Sequence, residues 1–246
     1  MPNNASFRGS LAACVIPGKS KRSDFPLIPS RCALLIVDIQ AYLSDPSDDE
    51  EKKSFIFNQA LPRAVNNIEK LLTKFRSLRD LDYKQGCEVL FTYLESLTKD
   101  CRDVSLDYKL SGPKLARLPN SPESPAAFLP QVAPSSQGRG DIRIPKTSCS
   151  VFQSTNINYL LRNLNVEQLV VVGQLTDQCV ESAVRDAADS GYFVTVVGDA
   201  CAATSVNSHE KGLAGMKGFC RILSTEDVLV ELANEFRIED LETLRP

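Results

Sequence analysis

Tryptophan is absent, and histidine occurs once, at position 209. A metal site built on several histidines is therefore excluded. The eight cysteines, at 14, 32, 87, 101, 149, 179, 201 and 220, contain no C-x-x-C pair. A zinc cluster and a thioredoxin-like motif both lack support. No apolar run approaches the length that spans a bilayer. A large charge of one sign is missing too: the net charge is −3. Nothing argues for nucleic acid or an anionic membrane surface as partner.

What remains is an ordinary globular composition. The 246 residues are 43% hydrophobic and 24% charged, which suits one α/β domain with a sizeable core. The chain is not cysteine-dense, so we expect free thiols, a reducing compartment and a cytoplasmic location. Residues 11–18, LAACVIPG, are too short and broken for a signal-peptide core. Residues 1–24 carry Arg8, Lys19, Lys21 and Arg22 against Asp24. They are expected to form a flexible arm, with a transit peptide as the alternative. The domain should run over residues 25–240, leaving 241–246 as a tail.

Residues 167–191, EQLVVVGQLTDQCVESAVRDAADSG, organise the chain. Leu169 to Val172 reads as a buried strand that Gly173 ends. Val180, Ala183, Val184 and Ala187 recur at helical spacing, and Gly191 closes that helix. Cys179 thus falls near the first turn of a helix, where uncapped amides and the dipole favour a thiolate.

The same alternation runs through the chain. RCALLIVDIQ, residues 31–40, reads as a central parallel strand with Asp38 at its carboxyl end. Residues 44–54 read as an acidic surface loop. A long amphipathic helix follows over 58–82, carrying Leu61, Val65, Ile68, Leu72 and Phe75. CEVLFTY, residues 87–93, is the second strand of a right-handed βαβ unit. Residues 94–140 interrupt the rhythm, with six of the fourteen prolines between Pro113 and Pro134; a segment this long and irregular inside a compact domain is expected to be functional or disordered. DIRIPK, 141–146, is a short strand ending in Lys146. Thr155 is expected to cap a helix with Ile157, Leu160, Leu161 and Leu164. Strands over 192–197 and 219–223, a helix over 205–217, and a last helix capped by Thr225 complete the pattern. The fold class is α/β: an open, mostly parallel six-stranded sheet with helices on both faces, a Rossmann-like three-layer arrangement. Its active site belongs at the carboxyl ends of the strands. No G-x-G-x-x-G follows the first strand, so a dinucleotide site is rejected.

Three reactive groups stand at strand ends: Asp38, Lys146 and Cys179. A thiol is a strong nucleophile once deprotonated. A carboxylate can take its proton and later activate water. An ammonium offsets the two anions. Backbone amides near 175–179 are donors for an oxyanion. Each residue also has an ordinary alternative: a turn cap for Asp38, a solvated lysine, a packed cysteine.

On the motifs LLIVDIQ, IPKTSCSVF and VVGQLTDQCVESAVRDAADSGYFVTVVGDACAAT, the chain resembles the isochorismatase-like hydrolases, the cysteine hydrolase superfamily, from about Arg31 to Phe236. The resemblance implies Asp38 as general base and acid, Lys146 as electrostatic partner and Cys179 as nucleophile. It implies a cis peptide before Leu175, an oxyanion hole from the amides of Leu175 and Cys179, and a dimer or tetramer. Metal-dependent nicotinamidases need histidines this chain lacks, so no metal or other cofactor is expected, and His209 is expected at the surface or a helix end. The presence of Cys179 favours cleavage of a C–N bond in a small amide or ureido substrate. Hydrolysis of the isochorismate vinyl ether by Asp38 and a catalytically silent, partner-binding role are the alternatives. Gln40, Glu95, Arg102, Tyr108, Ser150 and Phe152 are candidate substrate contacts, with Asp107 and Lys109 beside them in the covering loop.

Overall fold

The computed structural model describes residues 10–40, 49–81, 87–110 and 128–234. Six strands form one sheet: β1 (Cys32–Val37), β2 (Glu88–Leu94), β3 (Ile142–Lys146), β4 (Gln168–Gln174), β5 (Phe193–Ala202) and β6 (Arg221–Leu223). Their order is β3-β2-β1-β4-β5-β6, and every neighbouring pair is parallel. The strand order reverses between β1 and β4, the place where sheets of this kind bind ligands at the carboxyl ends of their strands.

The central strands are buried on both faces, which explains their unbroken apolar runs. Leu34, Ile36, Val170 and Val172 pack on one side with Ile68, Leu72 and Phe75 of α2 (Leu61–Leu81). Ala33, Leu35, Val37, Leu169 and Val171 face the other side. Each fully buried Leu or Phe contributes about 1.5–3 kcal/mol of transfer free energy.

The helix ahead of α2 starts earlier than its apolar spacing predicts. A short α1 (Glu50–Phe55) is capped by Asp49, whose side chain accepts from the Lys52 amide, and a π-type turn at Ile56–Ala60 joins it to α2. Residues 50–54 are thus helical rather than loop: Glu50 and Glu51 fall in the first turn, where the helix dipole favours acids. Within the 94–140 segment, α3 (Leu106–Leu110) and a turn at Pro130–Val132 are regular, and Val132 enters the core. Residues 111–127, with most of the prolines, lie outside the described residues, as do residues 1–9 and the tail.

After β3 come α4 (Val151–Ser154) and α5 (Ile157–Asn163). The cap of α5 is Asn156, one residue after the expected Thr155, and it makes no side-chain capping bond; Thr155 Oγ1 accepts from the Ile157 amide at 3.1 Å. Next are α6 (Glu181–Asp189), α7 (Val206–Met216) and α8 (Thr225–Ala233). The cap of α8 is Ser224, one residue before the expected Thr225, because Ser224 and Asp227 form a reciprocal capping box. Thr225 bonds Asp199 instead, at 2.8 Å. Helices α5 and α6 line one face of the sheet, α2 and α8 the other.

Residues 10–24 are docked rather than loose. Leu11 is fully buried with Phe25 and Ile28, and its amide donates to Glu167 at 2.7 Å. Arg22 donates to the Gly218 carbonyl at 2.6 Å.

Candidate active site

Strand β4 does not stop at Gly173; it runs on to Gln174. Gly173 is required for another reason. Its φ is +128°, and a Cβ there would lie 2.1 Å from the Val37 carbonyl oxygen. Only glycine lets β4 pass this close to the end of β1. The Gln174–Leu175 peptide is cis. Residues 176–180 then form a tight helical turn, with the Leu175 carbonyl accepting from Gln178 and Val180 at 3.0 and 3.2 Å. Cys179 sits in that turn, 5% exposed.

Asp38 follows β1 with φ +50°, a left-handed conformation uncommon outside glycine. It is completely buried. One carboxylate oxygen accepts from Thr92 Oγ1 at 2.7 Å. The other lies 2.7 Å from Lys146 Nζ, and neither side chain reaches solvent. Lys146 closes β3, an edge strand that tolerates Pro145. Its ammonium also contacts Cys179 Sγ at 3.4 Å and donates to the carbonyls of Ser148 and Cys149 at 2.8 and 2.9 Å. Burial opposes the charge on Lys146. The Asp38 carboxylate and the neighbouring sulfurs outweigh it, and the ammonium is held above its usual range.

Sequence reading did not single out Cys149. Its Sγ lies 3.8 Å from Cys179 Sγ and 3.4 Å from Ser182 Oγ. The two thiols share charge. The hydrogen bond with Cys179 is the main cause that draws one ionisation, at Cys149, down to about 6. The same hydrogen bond, with burial, pushes the other, at Cys179, well above the thiol range. Two sulfur anions this close cannot both form at ordinary pH. Since the Lys146 ammonium touches Cys179 Sγ and the two thiols titrate as a pair, we place the shared charge on Cys179.

The other predicted contacts divide. Glu95 stands next to the site, its amide donating to the Lys146 carbonyl at 3.1 Å. Tyr108 is buried in α3. Gln40 is fully buried, and its amide bonds the Leu94 main chain in both directions, at 3.2 and 2.8 Å. It ties β1 to β2 and has those groups committed. Ser150 caps α4 and donates to Asp186 at 2.6 Å. Phe152 packs near Tyr192, 6.0 Å between ring centres, at the amino end of β5. Arg102 pairs with Asp100 at 3.0 Å, and both side chains are largely in solvent.

Three residues that local pattern does not reveal complete the setting. Thr92 ends a buried run beside Asp38. Gln174 donates to the carbonyls of Asp38 and Gln40 at 2.8 and 3.0 Å, tying the end of β4 to the segment after β1. His209, expected at the surface or a helix end, lies near the start of α7, half-buried, with Nδ1 2.9 Å from Thr176 Oγ1. Among the described residues, no group of three or more metal-ligating side chains is set to hold an ion, and no helix is long and apolar enough to cross a membrane.

A cysteine hydrolase from Pseudomonas syringae pv. phaseolicola 1448A has the same fold, with a TM-score of 0.71, 21% identity, and coverage of 86% of this chain and 97% of that one. Ureidoacrylate amidohydrolase RutB of Acinetobacter baylyi is 27% identical over 213 residues, 82% of this chain and 83% of that protein. RutB of Agrobacterium fabrum is 46% identical over 61 residues, a match that spans 25% of this chain and 27% of that protein. The isochorismatase domain model matches residues 32–227, and the chain belongs to that family of isochorismatase-like hydrolases.

Proposed function

We propose that this protein hydrolyses a C–N bond of a small amide or ureido compound through a Cys179 thioester, without a metal ion. The observation that carries this reading is the buried contact network of Asp38, Lys146 and Cys179. The likeness to ureidoacrylate amidohydrolase RutB supports the substrate class. The single histidine of the chain supports independence from a histidine-held metal.

The thiolate of Cys179 attacks the substrate carbonyl carbon. Asp38 holds the proton that leaves the thiol, and Lys146 keeps the thiolate next to a positive charge. The amides of Leu175 and Cys179 donate to the tetrahedral oxyanion. Collapse expels the amine, which takes its proton from Asp38. Asp38 then removes a proton from water, the hydroxide attacks the thioester, and the acid leaves as Cys179 is restored.

The test is turnover of a panel of ureido acids and carboxamides by wild type and Cys179→Ala, with mass spectrometry of the quenched wild type for an acyl adduct at Cys179. The alanine variant should lose on the order of a thousand-fold or more. Retained turnover in Cys179→Ala, with loss in Asp38→Ala, would sink the covalent route and favour acid cleavage of a vinyl ether. No turnover by wild type would favour a silent, partner-binding member.

A further inference from the structure

Cys149 has no role in the hydrolysis proposed above, yet its sulfur is in contact with the nucleophile. The separation is 3.8 Å. The two cysteines approach from different sides. Cys179 is held in the turn after β4, under helix α7. Cys149 lies in the irregular stretch 147–150 between β3 and α4, and is half-buried. Its own carbonyl accepts from the Lys146 ammonium that touches Cys179. One lysine thus anchors both cysteines.

We propose that Cys149 and Cys179 form a peroxide-sensitive dithiol whose disulfide reversibly occupies the nucleophile. The chemistry balances as follows. The Cys179 thiolate attacks one oxygen of a hydroperoxide; the O–O bond breaks, the sulfur becomes a sulfenic acid, and the other oxygen leaves as alkoxide, or as hydroxide from hydrogen peroxide, and takes up the proton that the Cys179 thiol had released. The Cys149 thiol then attacks the Cys179 sulfur. An S–S bond forms, the S–O bond breaks, and water leaves with the Cys149 proton. Two thiols have lost two electrons, and the peroxide has gained them. A dithiol reductant reverses the step by exchange.

Geometry favours this pair over the others in the chain. A disulfide needs its sulfurs about 2.05 Å apart, so a shift of roughly 1.8 Å closes the gap. The movement falls to Cys149, since the irregular 147–150 stretch yields more easily than a helical turn packed beneath another helix. An ionisable thiol beside a resolving cysteine is an arrangement that responds to peroxide, and the half-buried Cys149 is the more exposed of the two. The remaining neighbours are unlike it: burial pushes the thiols of Cys87 and Cys201 up to about 12. The consequence for activity rests on Cys179 being the nucleophile; the sulfur chemistry does not.

The test uses the full, reduced chain and hydrogen peroxide. Intact mass should fall by two hydrogens, peptide mapping should join the Cys149 and Cys179 peptides, and dithiothreitol should restore both mass and turnover. In Cys149→Ser, peroxide should instead add two or three oxygens at Cys179, beyond rescue by dithiothreitol. The proposal is overturned by an unchanged wild-type mass, by irreversible oxygenation of wild-type Cys179 without the linkage, or by a disulfide joining other cysteines. Mass and mapping need no substrate, so their outcome is separate from any failure to find amide turnover.

Discussion

Two pairs of thiols lie in this one sheet and differ in chemistry. Cys32 and Cys87 are neighbours at the amino ends of β1 and β2, where Ala33 pairs with Glu88. Both sit in the apolar core. Burial pushes Cys87 up to about 12 and Cys32 well above the ordinary range, each raised further by a nearby acidic group. Cys149 and Cys179 are also close together, but at the carboxyl ends, with an ammonium in contact and the first turn of a helix beneath. There one ionisation falls to about 6. The difference teaches that sheet position, more than residue type, decides whether a cysteine is a small hydrophobe or an ionisable thiol.

The strongest way to break that contrast is Lys146→Met. It removes the charge from the carboxyl-end pair and leaves Asp38 buried without its partner. Stability to denaturant should fall by about 3–5 kcal/mol, and iodoacetamide should no longer distinguish the two pairs. In wild type at neutral pH, we expect alkylation of the Cys149/Cys179 pair to outrun that of Cys32 and Cys87 by about a hundred-fold or more. Alkylation needs the thiolate. Its rate at the reactive pair should therefore rise as pH climbs through about 6 and then level off, with peptide-resolved mass spectrometry as the readout. A flat profile, or equal labelling of the core pair, would remove the contrast.

Gly212→Ala sharpens it from a distance. A Cβ on α7 at this point would meet the Asp177 backbone at 2.9 Å, pressing on the turn that holds Cys179. We expect a loss of about 1–3 kcal/mol, with slower alkylation of Cys179 and no change at Cys32 or Cys87. The smallest effect belongs to His209. Burial, reinforced by the Arg63 charge, holds its imidazole below the usual range. The unfolded chain then binds this proton more readily than the folded one. Stability should fall as pH drops below about 6.5 and return as pH rises through it. His209→Asn should flatten that slope in denaturant midpoints taken on both sides of this pH.

Much of the architecture was legible in the chain. Unbroken apolar runs between helical periodicities specify strands buried on two faces, and that arrangement puts chemistry at the carboxyl ends. Asp38 follows β1, Lys146 ends β3 and Cys179 follows β4 across a turn, so that rule selects all three as candidates. Helix starts were less legible. Asp49 begins its helix well before the first apolar stripe, and Ser224 outcompetes Thr225 because only Ser224 has Asp227 three residues on.

By itself, then, the sequence determined the layered fold, the strand ends that bear reactive groups, and the thiol at a helix start. These depend on spacing within short stretches, where backbone geometry maps directly onto residue number. Tertiary structure alone decided which polar side chains are committed. Gln40 is bound to Leu94, Ser150 to Asp186, and Cys149 to Cys179, 30 positions away. Such partners join segments far apart in the chain, and a change of about an ångström in strand register or turn shape would give each of them a different neighbour.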